Sequence, residues 1–204
     1  MAVVSLASML EDRRLWRGTA KTQLEQGREP TGHAQLDAAL PGGGWPEAAL
    51  SEILAPADGI GELCLVLPTL ARHTQAGRDV VLIAPPYVPF PRAWRDAGVD
   101  LRRLRIVATE RDKDALWASE QCLRAGCLSV VLCWPRKADD KSLRRLQVAA
   151  ESGRALAFAF RDAREARNPS PAALRLQIEP GQVRVLKCRG GLAPARVFPL
   201  AGAH

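Results

Sequence analysis

Between residues 49 and 160 the chain alternates apolar runs of strand length with amphipathic runs of helix length, and this rhythm limits its possible folds more than any single motif does. The strand-like runs are residues 49–54, 80–84, 104–107, 128–133 and 155–160. Between them, residues 63–75, 91–97, 112–125 and 139–152 read as helices. Leu143, Leu146 and Ala150 share one helical face, as do Ala115, Leu116, Ser119 and Leu123. Repeated strand–helix alternation predicts a mainly parallel sheet with helices on both faces. Asp139 and Asp140, and the Asp112–Asp114 pair, stand where helix caps are needed. Pro68 inside the 63–75 run must kink or delay that helix, because it has no N–H for the preceding turn.

After Phe160 the pattern changes. Residues 161–173 are basic, polar and interrupted by proline, which predicts a loop, and alternating strands follow at 174–178, 183–187 and 196–198. The turn residues Glu179-Pro180-Gly181-Gln182 join the first two as an antiparallel hairpin. The expected fold is therefore α/β, with a mixed sheet that is parallel in the centre and antiparallel at the C-terminal end. Residues 1–29 read as an amphipathic helix and tether, and residues 30–204 as the core domain. In the helix, Leu6, Met9, Leu10 and Trp16 form an apolar face suited to a partner's groove.

Composition removes several function classes. Apolar residues make up 47% and charged residues 25%, with no apolar run long enough to cross a bilayer. No secretion signal is read at the N-terminus, and a cytoplasmic setting is expected. The five cysteines, irregularly spaced, form neither a disulfide framework nor a zinc motif. His33, His73 and His204 are scattered, without triad or metal-ligand spacing. A net charge of +7 favours an acidic partner such as nucleic acid.

The turn after the first strand carries the sharpest signal. A phosphate-gripping loop reads G-x-x-x-x-G-K-[S/T], in which amides cradle phosphate, lysine neutralises it and the hydroxyl holds magnesium. Here Pro56 replaces the first glycine, Gly59 and Gly61 follow, Glu62 replaces the lysine and Leu63 replaces the hydroxyl residue. A unit charge about 4 Å from another is worth roughly 4 kcal/mol at an effective dielectric of 20, so the lysine-to-glutamate change turns attraction into repulsion. Where a magnesium-binding aspartate would close the 128–133 strand stand Cys133 and Trp134. No catalytic residue, cofactor or metal is expected, and the reading is a degenerate ATPase.

The order of pieces resembles the RecA ATPase core. Residues 31–53, "TGHAQLDAALPGGGWPEAALSEI", look like that family's lead-in segment and first strand, and 183–191, "VRVLKCRGG", like its late Lys-x-Arg-Gly strand. Within the superfamily, "LPGGGWP" (40–46), "GELCLVLPTLA" (61–71) and "CRGGLAPARVFPL" (188–200) resemble the ImuA family of damage-induced mutagenesis. Residues 51–160 are also similar to SulA, the SOS inhibitor of the tubulin-like FtsZ. The ImuA resemblance implies an accessory role in translesion synthesis, with an ImuB-type polymerase relative, an error-prone replicative-type polymerase subunit, RecA and single-stranded DNA as partners. A homo-oligomer stays open, and the SulA alternative implies FtsZ instead. By the same resemblance Arg136, Lys137 and Lys141 occupy one DNA-loop position and Arg161, Arg164 and Arg167 the other, which makes them candidate DNA contacts. Lys187 and Arg189 match the family's Lys-x-Arg, which makes them candidate partner contacts, and are expected to pair with Glu62 or another acid. Trp45, Trp94, Trp117 and Trp134 are expected in or beside the core, an exposed one being a good interface anchor.

Overall fold

The computed structural model describes residues 29–200, so the predicted helix with Leu6, Met9, Leu10 and Trp16 lies outside the described residues. A one-turn helix, α1 (Ala34–Asp37), leads to strand β1 (Leu50–Ala55). Helix α2 (Leu67–Gln75), strand β2 (Val80–Ile83), helix α3 (Pro91–Asp96) and strand β3 (Leu104–Val107) follow. Next come α4 (Asp112–Arg124), β4 (Val130–Cys133), α5 (Asp140–Gly153) and β5 (Leu156–Asp162). Three strands complete the chain: β6 (Leu174–Glu179), β7 (Gln182–Cys188) and β8 (Val197–Pro199).

All eight strands join one sheet in the order β3-β2-β4-β5-β1-β6-β7-β8. Every pairing from β3 across to β6 is parallel. The β6–β7 and β7–β8 pairings are antiparallel, giving the mixed sheet that the sequence predicts. Because strand side chains alternate, each face has its own core. Ile53, Leu82, Leu132, Phe158 and Leu176 pack on one face against Leu36, Trp45, Leu70 and Trp94. Leu50, Val81, Val131, Ala157 and Ala159 pack on the other against Ala115, Leu123, Leu143 and Leu146. On this second side α4 and α5 lie so close that a Cβ on Gly153 would fall 1.7 Å from the Leu123 carbonyl oxygen.

The lead-in segment is stapled to α2. Trp45 Nε1 donates to Thr69 Oγ1 at 2.9 Å, and its ring meets Phe158 edge-on at 4.7 Å. Glu29 is paired with Arg72, and His73 Nε2 sits 3.1 Å from its carboxylate. Burial alone would raise the Glu29 carboxyl, but its contacts with His73 and Arg72 and their charge prevail and hold it down at about 2.

Two boundaries depart from the sequence reading. The 63–75 helix is divided into a 3₁₀ turn, Glu62–Leu65, and α2, with Pro68 in the first turn of α2, where its missing N–H costs nothing. Strand β5 also runs two residues past Phe160, because Leu54 and Ala55 of β1 supply partners for Arg161 and Asp162. The predicted loop then begins with a 3₁₀ turn, Ala163–Arg167. Asp139 caps α5 by accepting the Ser142 N–H at 2.8 Å, whereas Asp114 takes the Arg111 guanidinium instead of capping α4.

Candidate functional site

Open α/β sheets place ligands beyond the carboxyl ends of their parallel strands. There a cleft of about 330 Å³ opens between the turn after β1 (Pro56 to Asp58), Ala84 and Pro86 after β2, Trp134 after β4, and the end of β5. The turn after β1 bends through left-handed glycines, Gly59 at φ 82° and Gly61 at φ 97°. Successive N–H groups in such a turn make a small anion-binding concavity. Here the chain fills it from within. Glu62, itself buried, accepts the Gly59 N–H through Oε1 and the Ile60 N–H through Oε2, both at 3.0 Å. Hydrogen bonds to a charged group contribute roughly 1.5–3 kcal/mol each, so this turn is built around its own carboxylate.

The same negative charge sets the local electrostatics. Burial first, and then the Glu62 charge, raise the Asp58 carboxyl, against the pull of Arg136. Burial and Glu62 likewise raise the Cys64 thiol. At the end of β4, burial pushes the Cys133 thiol up to about 12, which removes it as a nucleophile at neutral pH. Trp134 stacks on Phe160 with centroids 4.7 Å apart and planes 11° from parallel. These two buried rings form the apolar wall of the cleft.

Beside the cleft lies an ionic cluster that the sequence reading missed. Glu52, in the middle of β1, is fully buried and receives Arg161 Nη1 and Arg175 Nε, each at 2.7 Å. Arg161 also reaches the Ala138 carbonyl at 2.8 Å and Glu165 at 3.0 Å. Arg175 donates to the carbonyls of Glu165 and Asn168 at 2.8 and 2.9 Å. The cluster thus ties the 3₁₀ turn after β5 to the strand ends. Its signal was present in the sequence as the one charged residue in the mostly apolar run of β1, a carboxylate that had to find a cation once buried.

This corrects the grouping of basic residues. Arg161 belongs to β5 and is buried, so it is removed from the candidate DNA contacts. Arg164 is exposed but grips Asp162 through two bonds, at 3.0 and 2.6 Å. Arg136, Lys137, Lys141 and Arg167 are exposed. Neither Lys187 nor Arg189 reaches Glu62: Lys187 donates to the Ser170 carbonyl at 2.8 Å, and Arg189 lies 3.7 Å from Glu151. Of the tryptophans, Trp45, Trp94 and Trp134 are buried and Trp117 is 62% exposed.

The cleft's outer lip is apolar. In the stretch Pro85-Pro86-Tyr87-Val88-Pro89-Phe90 after β2, Tyr87, Val88 and Phe90 are 68%, 85% and 68% exposed. Among the described residues no group of three or more metal-ligating side chains occurs, and no helix is long and apolar enough to cross a membrane.

This core, from the start of β1 to the start of β5, carries the family signature: the profile of the cell division inhibitor SulA matches residues 49–157. The chain belongs to the SulA family. It is also similar to RecA proteins, being 31% identical over 103 residues to that of Brucella anthropi, a stretch of 50% of this chain and 28% of that protein. To RecA of Treponema pallidum it is 30% identical over 103 residues, 50% of this chain and 25% of that one. The chain thus spans less than a third of the curated relatives it matches. The crystal structure of SulA from Pseudomonas aeruginosa matches at 29% identity and a TM-score of 0.48, over 57% of this chain and 98% of that one. A magnesium-bound nucleoside triphosphate, the group that likeness to RecA brings to mind, does not fit the residues present. A carboxylate holds the turn's amides and an indole stands at the end of β4.

Proposed function

We propose that this SulA-family protein is a non-catalytic, RecA-like accessory factor of the bacterial DNA-damage response, and that it works by docking to other proteins. The observation that carries the reading is the Glu62 carboxylate bound to the Gly59 and Ile60 amides, since an incoming phosphate would have to displace a covalently tethered anion. The apolar wall of the cleft is buried, whereas Tyr87, Val88 and Phe90 offer an exposed apolar surface for a partner to cover.

The finer reading is support of error-prone translesion synthesis, with an ImuB-type polymerase relative and an error-prone replicative-type polymerase subunit as partners. It is supported by what lies outside the SulA profile: a lead-in segment packed on α2, and three strands, β6 to β8, that extend the sheet. Residues 40–46 and 188–200, two of the three stretches similar to ImuA, lie in these additions. Single-stranded DNA and RecA are secondary partners in this reading, with Arg136, Lys137, Lys141 and Arg167 as the exposed cations. A second reading, inhibition of FtsZ assembly, is favoured by the profile match itself.

Two measurements separate them. Deleting the gene should lower ultraviolet-induced mutation frequency while leaving division normal, and overproduction should not make cells filament. Filamentation together with unchanged mutagenesis would establish the division-inhibitor reading and end the first. Saturable binding of magnesium and fluorescent ATP at millimolar concentration, with turnover, would overturn both.

A further inference from the structure

Three helices of this domain end in the same way, with an alanine cap followed by a glycine in the left-handed conformation: Ala76-Gly77, Ala97-Gly98 and Ala125-Gly126. Such an ending folds the residue after the glycine back over the residue five positions earlier. At α2 and α3 a backbone hydrogen bond joins those two positions, from Arg78 N–H to the His73 carbonyl and from Val99 N–H to the Trp94 carbonyl, both at 3.0 Å. At α4 the Cys127 N–H makes no such bond, and the two positions are both cysteines, Cys122 and Cys127.

The other cysteines are differently placed. Cys133 is buried in β4, Cys188 is buried with Sγ 3.4 Å from the Leu192 carbonyl, and Cys64 sits beside the negative Glu62 turn. Cys127 is exposed, just past the helix end, and Cys122 is half-buried five positions earlier. Cys127 is near enough to act on its partner: burial, and then the neighbouring Cys127, raise the Cys122 thiol.

We infer that Cys122 and Cys127 form a reversible redox pair, with Cys127 the residue that meets the oxidant and Cys122 the one that resolves it, the oxidant class being a hydroperoxide. Cys127 loses its proton to solvent and its thiolate attacks one peroxide oxygen. The O–O bond breaks, a sulfenic acid forms, and the leaving oxygen takes up a proton and departs as water from hydrogen peroxide or as the alcohol from an organic hydroperoxide. Cys122 sulfur then attacks the Cys127 sulfur, the S–O bond breaks, and the hydroxide leaves as water with the Cys122 proton. Two electrons pass from the two thiols to the peroxide. The disulfide supplies, in covalent form, the closure that backbone hydrogen bonds give to α2 and α3.

The test treats the full-length protein with hydrogen peroxide, blocks remaining thiols and maps non-reduced tryptic peptides by mass spectrometry. Cleavage after Arg124 separates the two cysteines, so the expected product is the peptide holding Cys122 linked to the one holding Cys127. Its mass should be two hydrogens below the sum, with fragmentation placing the bond at Cys127 and not Cys133, and dithiothreitol should reverse it. Cys122→Ser should instead accumulate a dimedone-reactive sulfenic acid at Cys127, and Cys127→Ser should show neither product. A wild-type protein that keeps the dimedone adduct as Cys122→Ser does, or that links Cys127 only between two molecules, would overturn the inference.

Discussion

Two loops leave the carboxyl ends of strands in the same sheet, with β4 and β5 between them, and have opposite characters. The turn after β1 spends its polar capacity on itself, since its glycines bring two amides together and Glu62 occupies both. The stretch after β2 does the reverse. Its prolines remove N–H donors and stiffen the backbone, and Tyr87, Val88 and Phe90 project into solvent. A stiff loop holding its rings ready loses little entropy when they are covered. The amides of the first turn are taken by the chain's own carboxylate, whereas Tyr87, Val88 and Phe90 stay uncovered among the described residues.

Four measurements break or sharpen this contrast. The largest effect belongs beside the self-satisfied turn: Glu52→Ala leaves Arg175 buried without its counter-charge and Arg161 with Glu165 alone, and should cost about 3–5 kcal/mol in urea unfolding. A loss below about 1 kcal/mol would mean that water reaches the cluster. Glu62→Ala should cost less, about 1–2 kcal/mol, because solvent can reach part of the turn and rescue its amides. Glu62→Lys should still give no saturable nucleotide binding, since Leu63 and Trp134 remain; binding restored by that one change would show that charge alone closes the site.

A third measurement concerns pH. Glu29 has its carboxyl lowered from 4.5 to about 2, so its contribution to stability is complete above pH 4.5 and is lost as pH falls towards 2. Thermal melts from pH 6 to 2 should therefore show a steeper acid loss in the wild type than in Glu29→Gln. Parallel curves would remove the Glu29–His73–Arg72 contact from the account. The smallest effect on stability belongs to the apolar loop: Tyr87→Ser with Phe90→Ser should change the unfolding free energy by less than about 0.5 kcal/mol. The same double substitution should abolish capture of the physiological partner; undiminished capture would move the docking surface elsewhere.

The sheet was legible because its signal is local. Alternating apolar runs fix each strand to within a residue or two, and the hairpin turn at Glu179 to Gln182 announces the antiparallel end. Pro68 likewise foretells the delayed start of α2. The candidate site was only half legible. Glu62 was visible as the wrong residue for a phosphate grip, but its bonds to Gly59 and Ile60 depend on the turn's three-dimensional path. Arg161 looked like the first residue of a basic loop because what holds it in β5 is the register with Leu54 and the carboxylate of Glu52, 109 positions away in the chain. Sequence spacing carries no trace of such a partner. The exposure of Tyr87, Val88 and Phe90 was not legible for a related reason, since whether an apolar residue after a strand is covered depends on what packs over it.

The SulA profile ends near the start of β5 and begins only after Trp45, yet β1 lies between β5 and β6. A fragment cut to residues 49–157 would strip away the indole that leans on Phe158 and most of one flanking strand, and all of the other. An interior strand carrying a sealed carboxylate would become an open rim, ready to pair with whatever chain came near. The matched block stops short of the strands that flank β1, and only the longer piece closes the sheet around it.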